Sequence, residues 1–124
     1  MLASVNRLTS GPLFAETIKK GHRAGTGTVV LHLWIREGDS ADEDSAQVGF
    51  VVSKQVGNAV TRNQVKRRLR HLARERLSSL PGSAVLVVRA LPPSASSSYA
   101  ELGADVDRAL ARVLGRWADG GVSS

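Results

Sequence analysis

Two hydrophobic rhythms alternate along this chain, one with the period of a helix and one with the density of a strand. Val65, Leu69, Leu72, Ala73 and Leu77 recur at i, i+4, i+7, i+8 and i+12, one face of an α-helix. Leu102, Val106, Leu110, Val113, Leu114 and Trp117 make a second helical stripe, opened by the capping box Ser98-x-x-Glu101. A shorter helix is predicted from Pro12, which suits a first turn, through Leu13, Phe14 and Ile18 to Lys19, Lys20 and a C-cap at Gly21. Strands are predicted at Thr28 to Ile35, rich in β-branched residues, and at Gln47 to Ser53, where Val48, Phe50 and Val52 share a face. Ala84 to Val88 is a continuous apolar run, as in a central strand covered on both faces. Pro81-Gly82 closes the middle helix region, Pro92 to Ser98 reads as a loop, and Asp119 to Ser124 as a frayed tail. The predicted order is helix, strand, strand, helix, strand, helix. It describes a compact α/β unit, a single domain over 1–124.

The middle helix carries a dense array of cations. Arg62, Lys66, Arg70 and Arg74 repeat every four residues, which spaces them about 6 Å apart along the axis. Arg67, Arg68 and Arg76 add to the array and Glu75 is the lone acid within it. Such a density costs stability through self-repulsion unless a polyanion answers it. Solvated basic faces usually interleave Glu with Lys and Arg, and this one does not. The helix is expected to begin with a capping box at Thr61-x-x-Gln64, leaving unpaired N–H groups near Arg62 and Asn63 where a phosphate could dock.

Composition narrows the partner. The 124 residues carry a formal charge of +6, and 42% are hydrophobic. The basic balance suits a nucleic acid or an anionic membrane surface. No span approaches the roughly 20 apolar residues of a membrane helix, and Met1 to Ser10 lacks the apolar core of a signal peptide, so a cytoplasmic protein is expected. The absence of cysteine removes disulfides, thiolate metal sites and a Cys nucleophile. Five acids between Glu37 and Ser45 read as a solvated hairpin loop, since the spaced ligands and closing Glu of a calcium loop are missing. His22, His32 and His71 form no metal motif, and Ser53 and Ser94 to Ser98 lack a general base. No catalytic or metal-binding residue is assigned.

The run Val48-Gly49-Phe50-Val51-Val52-Ser53-Lys54, then Gly57-Asn58-Ala59-Val60, then Arg62-Asn63-Gln64-Val65-Lys66-Arg67 with Arg70, resembles the protein subunit of bacterial ribonuclease P. Gln64 stands where the family usually has Arg and Gln55 where it often has a second Lys. The resemblance, which extends over about 6–117, implies a small α/β (α+β) sandwich with a mixed sheet and a left-handed strand–helix–strand crossover, against the right-handed rule for such units. It also implies RNA contacts at Lys54, Asn58, Arg62, Asn63, Lys66, Arg67, Arg68, Arg70 and Arg74.

A second surface follows from the same resemblance. A cleft between the first helix and the sheet would hold the single-stranded 5′ leader of precursor tRNA, lined by Phe14, Ile18 and His32 with Lys54 nearby. Aromatic faces there would stack bases with little sequence preference. Phe14 and Ile18 are spaced equally well for core packing, and His32, facing away from Leu31 and Leu33, can be either open to solvent or a satisfied sheet histidine. The implied partners are the catalytic RNA subunit, whose phosphates hold Mg²⁺, and precursor tRNA; membrane and DNA are not among them. The alternative is a ribosomal or other structural RNA-binding protein. A helix-turn-helix DNA reader would need a short helix and tight turn where Val48 to Ser53 reads as strand.

Overall fold

The computed structural model describes residues 6–35, 46–81 and 83–123. Its elements are α1 (Gly11–Lys20), β1 (His22–Gly25), β2 (Val29–Ile35), β3 (Gln47–Val51), α2 (Ala59–Arg76), β4 (Ala84–Ala90) and α3 (Tyr99–Ser123). The strands form one sheet in the order β1-β2-β4-β3. β2 runs antiparallel to both β1 and β4, while β3 and β4 are parallel, with Val48 opposite Leu86 and Phe50 opposite Val88. α2 is therefore the crossover between two parallel neighbours.

Three expectations change. β1 was not among the predicted strands, because His22-Arg23-Ala24-Gly25 has no β-branched residue; its pairing with Val30 to Leu33 makes it a strand. The acidic segment from Glu37 to Ser45 lies outside the described residues, but β2 and β3 do not form a hairpin, since β4 is inserted between them. α3 also continues in helix to Ser123, past the expected tail boundary.

The larger core lies between one sheet face and the helices α2 and α3. Val29, Leu31, Leu33, Val48, Leu86 and Val88 meet Val65, Leu69 and Leu72 of α2 and Leu102, Val106, Leu110 and Val113 of α3. Each such side chain contributes about 1.5–3 kcal/mol on burial, enough to hold a helix whose outer face is self-repelling. A smaller core on the opposite face joins Leu8, Val85 and Val87 to Leu13 and Phe14 of α1. β4 is thus covered on both sides, as its unbroken apolar run requires.

The caps explain where the helices begin. Ser10 accepts from the Leu13 amide at 3.3 Å to open α1, and Ser98 and Glu101 bond reciprocally at 3.0 and 2.8 Å, the expected box at α3. α1 ends because Gly21 passes so close to β2 that a Cβ would lie 2.7 Å from the Leu33 carbonyl oxygen.

Candidate nucleic-acid interface

α2 is launched from a tight turn. The amides of Val56 and Gly57 donate to the carbonyls of Ser53 and Lys54 at 3.1 and 3.2 Å, and Gly57 takes φ +157°. Asn58 is then the N-cap, its side-chain oxygen accepting from the Thr61 amide at 2.9 Å. This corrects the expected box at Thr61 and Gln64: those residues lie within the helix. Asn is an N-cap at least as good as Thr, and Asn58 has the extended backbone that a cap needs, which lets the helix start earlier.

The core-facing line of Val65, Leu69, Leu72 and Ala73 sorts the cations into three groups. Lys66 and Arg70 stand on the side towards β3, with half-buried Arg62 at the head of the same row. Arg67, Arg74 and Asn63 are exposed, as is Lys54 in the preceding turn. On the opposite flank Arg68 donates to the Ser97 carbonyl at 3.2 Å. Arg76 is held by Asp107 through Nε at 2.5 Å and Nη2 at 3.1 Å, and by the Leu72 carbonyl at 2.9 Å. Arg68 and Arg76 are thus engaged in fastening α2 to the Pro92–Ala95 turn region and to α3. Among the described residues neither Lys66 nor Arg70 has an acidic partner.

Lys66 and Arg70 form one wall of a groove of about 390 Å³ at the β3 edge. Arg7, Leu8, Thr9, Phe14, Val48, Gly49 and Phe50 complete it. Phe14 reaches it because residue 49 is glycine; a Cβ there would lie 2.2 Å from the Phe14 ring. The structure therefore brings a phenyl of α1 and the inner cations of α2 to one place. Arg7 and Phe50 are members that sequence reasoning missed, although a glycine inside a β-branched strand signals close approach by another group.

Ile18 and His32 are not part of that groove. Ile18 is 41% exposed on α1. His32 is 3% exposed, and among the described residues neither ring nitrogen has a hydrogen-bond partner, so it is neither solvent-open nor satisfied there. Burial, then the charges of Arg89 and Arg23, hold its pKa below the ordinary histidine value. Arg23 lies opposite His32 on β1, and Arg89 shares the same sheet face on β4. Both arginines are exposed, so cations flank the position where a ring was expected.

The described residues contain no group of three or more His, Asp or Glu that could hold a metal ion. None of their helices is long and apolar enough to cross a membrane.

A mixed four-stranded sheet with a cation-lined helix as its parallel crossover defines a small α/β protein of nucleic-acid-binding type. The sequence model of the family described as Ribonuclease P matches residues 2–114. The chain is 61% identical over 113 residues to the ribonuclease P protein component of a Nocardioides species, covering 91% of this chain and 95% of that one. It is 50% identical over 119 residues to the Streptomyces bikiniensis protein component, covering 93% and 97%. Among solved structures, the Staphylococcus aureus RNase P protein superposes with a TM-score of 0.74 at 24% identity, covering 87% of this chain and 96% of that one. The Thermotoga maritima RNase P protein gives 0.71 at 21% identity, covering 86% and 96%. The chain belongs to the ribonuclease P protein family, the protein subunit of an endoribonuclease that acts on precursor tRNA.

Proposed function

We propose that this subunit binds the catalytic RNA of ribonuclease P through the outer face of α2, and grips the 5′ leader of precursor tRNA in the groove at the β3 edge. The supporting observation is that Phe14, Phe50, Lys66 and Arg70 line one groove. It offers aromatic faces for unstacked bases and cations for the phosphates between them. The chemistry of such a grip is sequence-tolerant, because every base has a π-face and every nucleotide a phosphate. Lys54, Asn63, Arg67 and Arg74 are exposed for the RNA subunit, whereas Arg68 serves first to fasten α2. His32, expected to line the leader cleft, is buried, and Arg89 and Arg23 beside it supply charge on the α1 face of the sheet. In this reading Mg²⁺ belongs to the phosphates of the RNA, and the protein supplies charge screening and substrate position in the cytoplasm.

Phe14→Ala in the reconstituted holoenzyme is the test. Each lost base stack is worth roughly 1–3 kcal/mol, so affinity for leader-bearing precursor should fall at least fivefold relative to mature tRNA, about 1 kcal/mol. Equal losses for both substrates, with a lowered melting temperature, would assign Phe14 to the core alone.

A further inference from the structure

The side of the sheet farthest from the groove holds a second set of fixed cations. β1 is the outer strand there, and α3 lays Arg108, Arg112 and Arg116 along it at four-residue intervals. The Arg112 guanidinium donates to the Gly25 carbonyl at 3.1 Å and that of Arg116 to the Arg23 carbonyl. The spacings agree: two strand residues advance about 6.6–6.8 Å and four helical residues about 6 Å, so successive arginines meet alternate carbonyls. Each contact fixes a guanidinium without neutralising it, since a carbonyl oxygen bears no formal charge.

Arg108 behaves differently. It pairs with Asp105, which also accepts from the Thr28 hydroxyl at 2.6 Å, so its charge is answered within the fold. Arg112 and Arg116 are exposed and, among the described residues, have no carboxylate partner; the same holds for Arg23. A guanidinium carries five N–H donors, and those not spent on the carbonyl remain for a second acceptor. Two guanidinium groups with fixed positions and unspent donors, joined by the exposed charge of Arg23 on the same strand, make a receptor for phosphates about one nucleotide apart.

We propose that the β1–α3 edge, through Arg112, Arg116 and Arg23, binds the sugar-phosphate backbone of the leader upstream of the nucleotides held in the groove. This rests on the groove reading. The route between them crosses three inter-strand gaps of about 4.8 Å each, on the order of 15 Å, and Arg89 stands on the face crossed. A leader long enough to cross the sheet gains the edge contacts; a short one does not. Recognition is by charge, so the gain is independent of base identity.

The test uses holoenzyme reconstituted with the RNA subunit and precursors whose leaders either stop at the groove or extend past the sheet. R112Q/R116Q removes both guanidinium charges and, since Gln ends two atoms short of the arginine Nη, both carbonyl contacts as well. The ratio of long-leader to short-leader affinity should fall roughly threefold to tenfold, and the salt dependence for the long leader should flatten by about 0.7 per lost single-strand contact. R112K/R116K should restore most of the ratio. R23Q, which disturbs no hydrogen bond between β1 and α3, should lower it in the same direction if the double variant fails to fold. An unchanged ratio in both R112Q/R116Q and R23Q overturns the proposal and leaves these arginines as guards against strand addition at an open sheet edge. The F14A variant keeps the two readings apart. Should it lose affinity equally for leader-bearing precursor and mature tRNA while the ratio still drops in R112Q/R116Q, the groove reading fails and the edge stands.

Discussion

His32 is a buried imidazole without a hydrogen-bond partner among the described residues, and its position sets its chemistry. Leaving a polar group unsatisfied in the interior costs about 1–3 kcal/mol, and protonation beside Arg89 and Arg23 would cost more. Its folded pKa lies below the reference 6.5, so between those two values the unfolded chain binds the extra proton. Stability should therefore hold above pH 6.5, decline as the pH falls below it, and stop declining from this source once the folded pKa is passed. The slope in that window is at most about 1.4 kcal/mol per pH unit. Urea midpoints of wild type and His32→Phe across the window provide the check: the variant should lose this part of the pH dependence. Curves that remain parallel would show that the ring already has a polar partner in solution. Gly49 is the other decisive single position. In Gly49→Ala the new methyl would meet Phe14 at 2.2 Å, so the ring must leave its seat. The expected cost is about 1–3 kcal/mol of stability, together with a loss of leader selectivity like that of Phe14→Ala. Retained selectivity would mean that Phe14 can grip a base from a different rotamer.

At the scale of elements, α2 shows what a sequence discloses and what it conceals. Its apolar face was legible because Val65, Leu69, Leu72 and Ala73 fall on one side whatever they pack against. Its start was misplaced: Thr61-x-x-Gln64 fits the capping pattern, but Asn58 three residues earlier caps equally well, and geometry chose between them. Asn58→Ala should consequently cost about 0.5–2 kcal/mol in chemical denaturation, and Thr61→Ala markedly less; the reverse order would restore the Thr61 cap. β2, β3 and β4 were legible from their β-branched or apolar density, and the parallel neighbours around α2 accord with the family resemblance. β1 was not, because its strand character comes from pairing with β2, the next element in the chain, and from the α3 arginines, about ninety residues away. Insertion of β4 between β2 and β3 is likewise a long-range choice that periodicity does not encode. The candidate site divides the same way. The stripe on α2 and the phenyl of Phe14 could be read from the chain, but not their meeting over Gly49, nor the diversion of Arg68 and Arg76 to partners about thirty residues away.

Across the whole molecule, the formal charge of +6 is organised by which cations the fold consumes. Lys66 and Arg70 keep their charge facing the groove, while Arg68 and Arg76 on the other flank of the same helix tie it to the Pro92–Ala95 turn region and α3. Composition treats these four residues alike; the structure does not. Replacing Lys66 or Arg70 with Ala should leave the melting temperature nearly unchanged and flatten the log–log salt dependence of RNA binding by roughly 0.7–0.9 per residue. Arg68→Ala and Arg76→Ala should do the opposite. The Asp107 carboxylate is largely exposed, so screening limits the Arg76 pair, and with its bond to the Leu72 carbonyl the loss should come to about 1 kcal/mol. Their salt slopes should stay near that of wild type, since those guanidinium groups are spent within the protein. Binding titrations of all four variants at several ionic strengths, paired with thermal melts, separate the two groups. If Arg68→Ala and Arg76→Ala flatten the slope as much as Lys66→Ala and Arg70→Ala, RNA draws these arginines out of their intramolecular bonds, and the binding face extends around both flanks of α2.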